Sequence, residues 1–175
     1  ADQGGGVKTY INQKLEAGVR HGHEVVVIAP GDEDREEERH GGRVLWVKGP
    51  HMPFDPRYFV LYRQSAVHEL LDREQPDIVE GSSVWTGGWF AARWKGNAAR
   101  SLIVHQDPIA VYPETFLDGL INRSRINKLF GWYWGYLNLL ANRYDTTVTA
   151  GDWLADKLRR HGVSNATAVP FGIDK

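Results

Sequence analysis

Three adjacent glycines, Gly4, Gly5 and Gly6, stand directly ahead of a stretch with helical spacing. Glycine inside a helix costs about 1 kcal/mol relative to alanine, so the run reads as a tight loop entering a helix. Such a loop lets bare backbone amides approach an anion closely, and the helix behind it adds a partial positive charge. It is not the dinucleotide-binding fingerprint, since no third glycine follows at Lys8 or Thr9, and the P-loop lysine is absent. The plain alternative is a chain end that holds no ligand. His105 closes the apolar run "SLIVH" on the side where parallel sheets bind ligands, although a lone histidine there is more often structural. Asp107 and Pro108 follow it directly, and Ser82 and Ser83 end another short apolar run.

Other constellations carry less. Asp32-Glu33-Asp34 spells an acidic D-x-D pattern, but it lies in the charge run "GDEDREEERHGG", which reads as a solvated loop. His21-Gly22-His23 lacks a third metal ligand, and Gly22 suits a helix stop. No Gly-x-Ser-x-Gly elbow is present to supply a hydrolase nucleophile.

The elements that must position these residues follow from periodicity. Val7, Ile11, Leu15 and Val19 recur every four residues and predict an amphipathic helix ended by Gly22. "VVVIA", from Val25 to Ala29, is a short continuous apolar run of the kind covered on both faces in parallel sheets. "RVLWVKGP" predicts a second strand, and Asp55-Pro56 a helix start, with helical spacing running to about Glu74. "PDIVEGSS", "RSLIVHQDP", "DTTVTAG" and "ATAVPFGID" predict four more strands. Between them lie helices at Trp85–Trp94, Leu120–Asn142 and Asp152–His161. Alternating strands and helices indicate an α/β domain, a mostly parallel sheet with helices on both faces. Ligands in such sheets bind beyond the carboxyl ends of the strands. The loops to search are therefore 1–6, 81–86, 105–119 and 150–152, the last of which contains Asp152.

The 175 residues suffice for one domain with a proper core. A formal net charge of −1 gives no basic field for nucleic acid. With no cysteine there is no disulfide, zinc ribbon or thiol nucleophile, which fits the cytosol. No apolar run approaches the roughly 18 residues that span a bilayer, and no signal peptide is visible.

The chain resembles the N-terminal domain of a retaining family 4 glycosyltransferase of the GT-B architecture. The residues that carry this are "GGGVKTYINQKLEAGVRHGHEVVVIAP", "PDIVEGSS", "LIVHQDP" and "DTTVTAGDWLADKLRRHGV" running into "VPFGID". The resemblance implies a Rossmann-like acceptor-side domain over 1–170, with 171–175 beginning the crossover to a donor-binding domain beyond Lys175. It also implies a strand ahead of the glycine loop, upstream of Ala1. The Gly4–Gly6 loop would sit beside the donor diphosphate and the acceptor, and His105 would touch the transferred sugar without acting as a general base. Ser82, Asp107 and Asp152 would line the same cleft. No metal and no resident cofactor are implied; the co-substrate is a UDP- or GDP-sugar. The fragment alone is expected to be inactive.

Seven tryptophans are the one unusual count. Phe130, Trp132, Tyr133, Trp134 and Tyr136 crowd one helix beside Arg123, Arg125 and Lys128, too many to face one side. Exposed aromatics beside basic residues suit a bilayer interface, and relatives act on lipid acceptors. A peripheral contact of the 123–136 helix with the inner membrane face is thus one expectation; self-association and packing against the 105–119 loop are the others. For the whole chain, the competing functions are a nucleotide-sugar epimerase or phosphorylase of the same architecture, and a stand-alone carbohydrate- or nucleotide-binding module.

Overall fold

The computed structural model describes residues 6–53, 55–106 and 131–170. The chain forms two compact units that divide between Arg73 and Glu74. Both are α/β; the second pairs its strands in parallel throughout, whereas the first has one parallel pairing and two antiparallel ones.

In the first unit, helix α1 (Gly6–Arg20) ends as its sequence predicts. Gly22 takes φ +73°, and the amides of Gly22 and His23 donate to the carbonyls of Val19 and Gly18 at 3.2 and 2.9 Å. That is the paired closure a left-handed glycine permits. Strand β1 (Val26–Gly31) runs parallel to β3 (Gly42–Lys48), with Val27 opposite Val44. Leu15 of α1 is fully buried, and a β-carbon at Gly42 would strike it. β1 itself is half-buried from Val26 to Pro30, less covered than a central parallel strand. Among the described residues it is paired along one edge only.

The acidic run is not a loop. Arg35–Arg39 forms β2, antiparallel to β3, through a turn with positive φ at both His40 (50°) and Gly41 (77°). Positive φ at both central residues matches the twist of a tight hairpin. Its charges are neutralised within the hairpin and by its neighbours. Glu37 accepts hydrogen bonds from Arg35 (2.8 Å), Arg39 (2.9 Å) and the Trp46 indole (3.0 Å). Glu36 accepts from Arg43 and Arg73, and the Arg35 guanidinium lies over the Trp46 ring at 4.7 Å.

Asp55-Pro56 does not start a helix either. Asp55 spends its carboxylate on Arg57, at 2.8 and 2.7 Å, and Asp55–Phe59 forms β5 against β4 (His51–Met52). Helix α2 (Gln64–Glu74) begins later.

The second unit is a four-stranded, all-parallel sheet in the order β6 (Ile78–Gly81), β7 (Ala99–Val104), β8 (Thr146–Thr149), β9 (Ala166–Ala168). Helices α3 (Thr86–Arg93), α4 (Gly131–Ala141) and α5 (Asp152–Arg160) belong to this unit. Its core is Leu102, Ile103, Val104, Leu137, Leu140 and Leu158, all buried. Asn165 closes the end of α4 by donating to the carbonyls of Ala141 (3.1 Å) and Tyr144 (2.9 Å), which supplies acceptors left open at a helix terminus with a partner. Among the described residues, no helix is long and apolar enough to cross a membrane.

The hairpin makes a pH prediction. Hydrogen bonds from Arg35, then Arg39 and Trp46, hold the Glu37 carboxyl down at about 2, against an ordinary 4.5. A depressed folded-state value contributes stability that is present above the unfolded value and lost as the group is protonated. The thermal midpoint should therefore fall as pH drops from about 4.5 towards 2, and Glu37→Gln should flatten that part of the profile.

Candidate functional site at the carboxyl edge of the parallel sheet

Register brings the site together. Gly81 pairs with Leu102, and Val104 pairs with Thr149. The residues leaving β6, β7 and β8, namely Ser82, His105 and Ala150, therefore emerge along one edge of the sheet. Asp152 follows two residues after Ala150 as the first residue of α5. Three of the residues singled out from sequence thus share the edge at which parallel sheets bind ligands. Gly6 opens α1 in the other unit. Gly4, Gly5 and Asp107, with Pro108 and the aromatic-basic segment before Gly131, lie outside the described residues.

Ser82 and Asp152 each have a structural task beside any functional one. Ser82 donates from its hydroxyl to the Glu80 carboxylate at 3.0 Å, within the same strand end. His105 is half-buried directly after Leu102, Ile103 and Val104, the buried end of β7. Asp152 is exposed in the first turn of α5, where a negative charge favours the helix dipole. Thr149, fully buried, donates to the Gly151 carbonyl at 3.0 Å and fixes the entry to that turn.

The stretch from Ser82 into the first turn of α3 is held by Tyr136, which the sequence marked only as one of the aromatics crowding a helix, and by Tyr144, which it did not mark. Tyr136 on α4 donates to the Val84 carbonyl at 2.6 Å and accepts from the Trp89 indole at 2.9 Å. Tyr144, just after α4, donates to the Gly88 carbonyl at 2.6 Å. A β-carbon at Gly81 would collide with the Tyr144 hydroxyl, and one at Gly88 with the Ser83 carbonyl. Glycine at both positions is thus a packing requirement. Burial pushes both phenols above their ordinary value, so each remains a donor across the physiological range. Trp85 N–H donates to the Ser83 hydroxyl at 3.2 Å, and its indole lies near the rings of Tyr133 and Tyr136, at 6.0 and 6.3 Å between centroids. The sequence marked 81–86 as a strand-end loop, but nothing in it announced the tyrosines that hold it.

A cavity of about 420 Å³ lies elsewhere, in the first unit, among Asp34, Leu45, Trp46, Arg63 and Leu70. Its charges are already spent on one another: Asp34 accepts a hydrogen bond from Arg63 at 2.7 Å, and Glu36 from Arg73 at 3.2 Å. Asp34 also accepts from the Lys48 amide, which with Arg63 lowers its carboxyl below the ordinary range. None of the site residues read from sequence lines it.

A parallel α/β unit with helices packed on its sheet is a Rossmann-like domain. The model of Glycosyltransferase Family 4 matches residues 4–175, and the chain belongs to that family as a glycosyltransferase N-terminal domain. It is 28% identical, over 172 residues, to a GDP-mannose-dependent alpha-mannosyltransferase of Corynebacterium glutamicum. That alignment covers 97% of this chain and 40% of the relative's length.

Removing one pin tests how the edge is built. Tyr136→Phe deletes the donor to Val84 and the acceptor for Trp89, a loss of about 1 kcal/mol per hydrogen bond. Amide exchange in residues 83–89 should quicken, while β7 and β8 keep their protection.

Proposed function

We propose that this chain is the acceptor-side part of a retaining glycosyltransferase that takes mannose from GDP-mannose. The observation that supports the nucleotide and sugar is the similarity, along nearly the whole chain, to an enzyme named for GDP-mannose. The supporting geometry is the gathering of Ser82, His105 and Asp152 at the carboxyl edge of one parallel sheet. In this reading residues 1–170 form the acceptor-side domain, and 171–175 lead to a donor-binding domain. The sugar's C1–O bond to the diphosphate breaks as an acceptor hydroxyl bonds to C1 on the same face. The acceptor's proton passes to the departing diphosphate, so no protein general base is required. His105 hydrogen-bonds a hydroxyl of the transferred sugar and orients it. Gly4–Gly6 supply backbone amides beside the diphosphate, with Ser82, Asp107 and Asp152 along the cleft. The chain works in the cytoplasm, and without the donor-binding part it is inactive.

The test is transfer by the intact protein from GDP-mannose, with UDP-glucose as the competing donor. His105→Ala should lower turnover by about tenfold or more, the scale of one lost transition-state hydrogen bond, at an unchanged melting temperature. Full activity in that variant removes His105 from the site. Interconversion of nucleotide sugars without an acceptor would instead mark an epimerase, and binding without turnover a carbohydrate-binding module.

A second reading concerns the acceptor's location. Trp132 and Leu139 lie two turns apart on α4 and are 63% and 56% exposed, an apolar stripe suited to a membrane surface. Trp134 does not contribute: it is buried and stacked on His161 at 4.1 Å between ring centroids. Wild type should float with vesicles containing phosphatidylglycerol, and Trp132→Ala/Leu139→Ala should not. Equal flotation ends the membrane reading.

A further inference from the structure

We propose that Glu80 turns Ser82 into a receiver of hydrogen bonds, and that the pair holds a hydroxyl of the acceptor sugar, an assignment that rests on the glycosyltransferase reading above. The first observation is the direction of a proton. A serine hydroxyl has one proton and two lone pairs, whereas a carboxylate only accepts. Ser82 gives its proton to the Glu80 carboxylate at 3.0 Å. What Ser82 keeps is the capacity to accept. A diphosphate oxygen needs a donor and gains nothing from such a serine, while a sugar hydroxyl can donate to its Oγ.

The second observation is the contrast with the next residue. Ser83 Oγ accepts from the Trp85 amide at 3.2 Å, which leaves its own proton to give. Two adjacent serines are therefore wired in opposite senses, one to receive and one to donate. Serine itself chooses neither sense, because its hydroxyl rotates to suit its partner. At the end of β6 the choice is made by Glu80. Without that carboxylate the Ser82 proton is released, and Ser82 becomes a donor like its neighbour.

The third observation is place. Alternation along β6 puts Glu80 and Ser82 on one face of the sheet and Val79 and Gly81 on the other. Val79 and Gly81 are buried, and Tyr144 fills the space over Gly81; Glu80 and Ser82 are half-buried. Glu80 pairs in register with Ser101 of β7, and the same alternation assigns His105, four residues on, to the face of Glu80 and Ser82. Glutamate is a poor strand former, yet Glu80 stands third in a four-residue strand. Departures of that kind from local preference concentrate at functional sites. The reacting hydroxyl hands its proton to the departing diphosphate, so the hydroxyl held by Ser82 is a neighbouring one on the acceptor ring. Glu80 is a positioning residue that acts through Ser82, and His105 orients the transferred sugar.

The experiment uses the intact protein and methyl α-D-mannopyranoside as probe, with binding read by saturation-transfer NMR. GDP-mannose binding is titrated in parallel, and thermal unfolding is recorded for each variant. Ser82→Ala should weaken glycoside binding by about tenfold, the scale of one hydrogen bond, with GDP-mannose affinity falling far less. Ser82→Thr, which keeps the hydroxyl, should recover part of it. Glu80→Gln, whose amide can also donate, should weaken glycoside binding when Ser82 is present and have no further effect beside Ser82→Ala. Should Ser82→Ala not fold, Ser82→Cys, a weak acceptor of similar size, reads the same loss. Unchanged glycoside binding in Ser82→Ala overturns the proposal, and a lower melting temperature beside it marks the Ser82–Glu80 bond as structural only. An equal effect of Glu80→Gln with and without the Ser82 hydroxyl overturns it too, as does no glycoside binding in wild type that still binds GDP-mannose. Failure of wild type to bind or use any nucleotide sugar overturns the glycosyltransferase reading instead.

Discussion

Tyr136 and Tyr144 send their hydroxyls to the loop leaving β6 and to the first turn of α3, and the arrangement of the sheet's carboxyl edge depends on that. One holds the Val84 carbonyl and the other the Gly88 carbonyl, both at 2.6 Å. The loop carries backbone acceptors into a partly buried setting, where an unpaired carbonyl costs about 1–3 kcal/mol. Tyr136 satisfies one from α4, whose side chains Leu137 and Leu140 are fully buried in the core, and Tyr144 satisfies the other from just beyond that helix. Packing of α4 and geometry of the strand-end loop are therefore one problem. Because Tyr144 also fills the space over Gly81, the last residue of β6 and the first turn of α3 are set by the same ring.

Around this constraint the division of labour is clear. Short apolar strands in parallel register carry their polar ends to a common edge, and the buried threonines Thr147 and Thr149 spend their hydroxyls on Asn165 and Gly151. Polar groups inside the sheet are thus matched locally, while Ser82, His105 and Asp152 stand at the edge. The first unit is held differently. Its β2–β3 hairpin places carboxylates and guanidiniums next to each other and over Trp46, interactions that persist only while the carboxyls are ionised.

Much of this was legible in the sequence. The segments "PDIVEGSS", "RSLIVHQDP" and "DTTVTAG" read as strands, and Gly22 read as a helix stop because a left-handed terminus favours glycine. Two elements misled. "REEER" has no apolar alternation, so nothing local marks it as a strand; its stability lies in partners such as Arg43 and Trp46, which only pairing supplies. Asp55-Pro56 carries a sound helix-start signal, but Arg57 two residues on captures the carboxylate. Of the candidate site, the strand ends were visible and the loop's architecture was not. Tyr136 and Val84 are 52 residues apart, and no periodicity in either segment announces their contact.

The central claim is that sugar chemistry takes place at the carboxyl edge of the β6–β9 sheet. Hydrogen–deuterium exchange on the intact protein, with and without GDP-mannose plus methyl α-D-mannopyranoside, addresses it most directly. The account predicts slower exchange in residues 82–88, 105–106 and 150–153 when both ligands are present. Slowing confined to the cavity between β3 and α2, with those three segments unchanged, would contradict it.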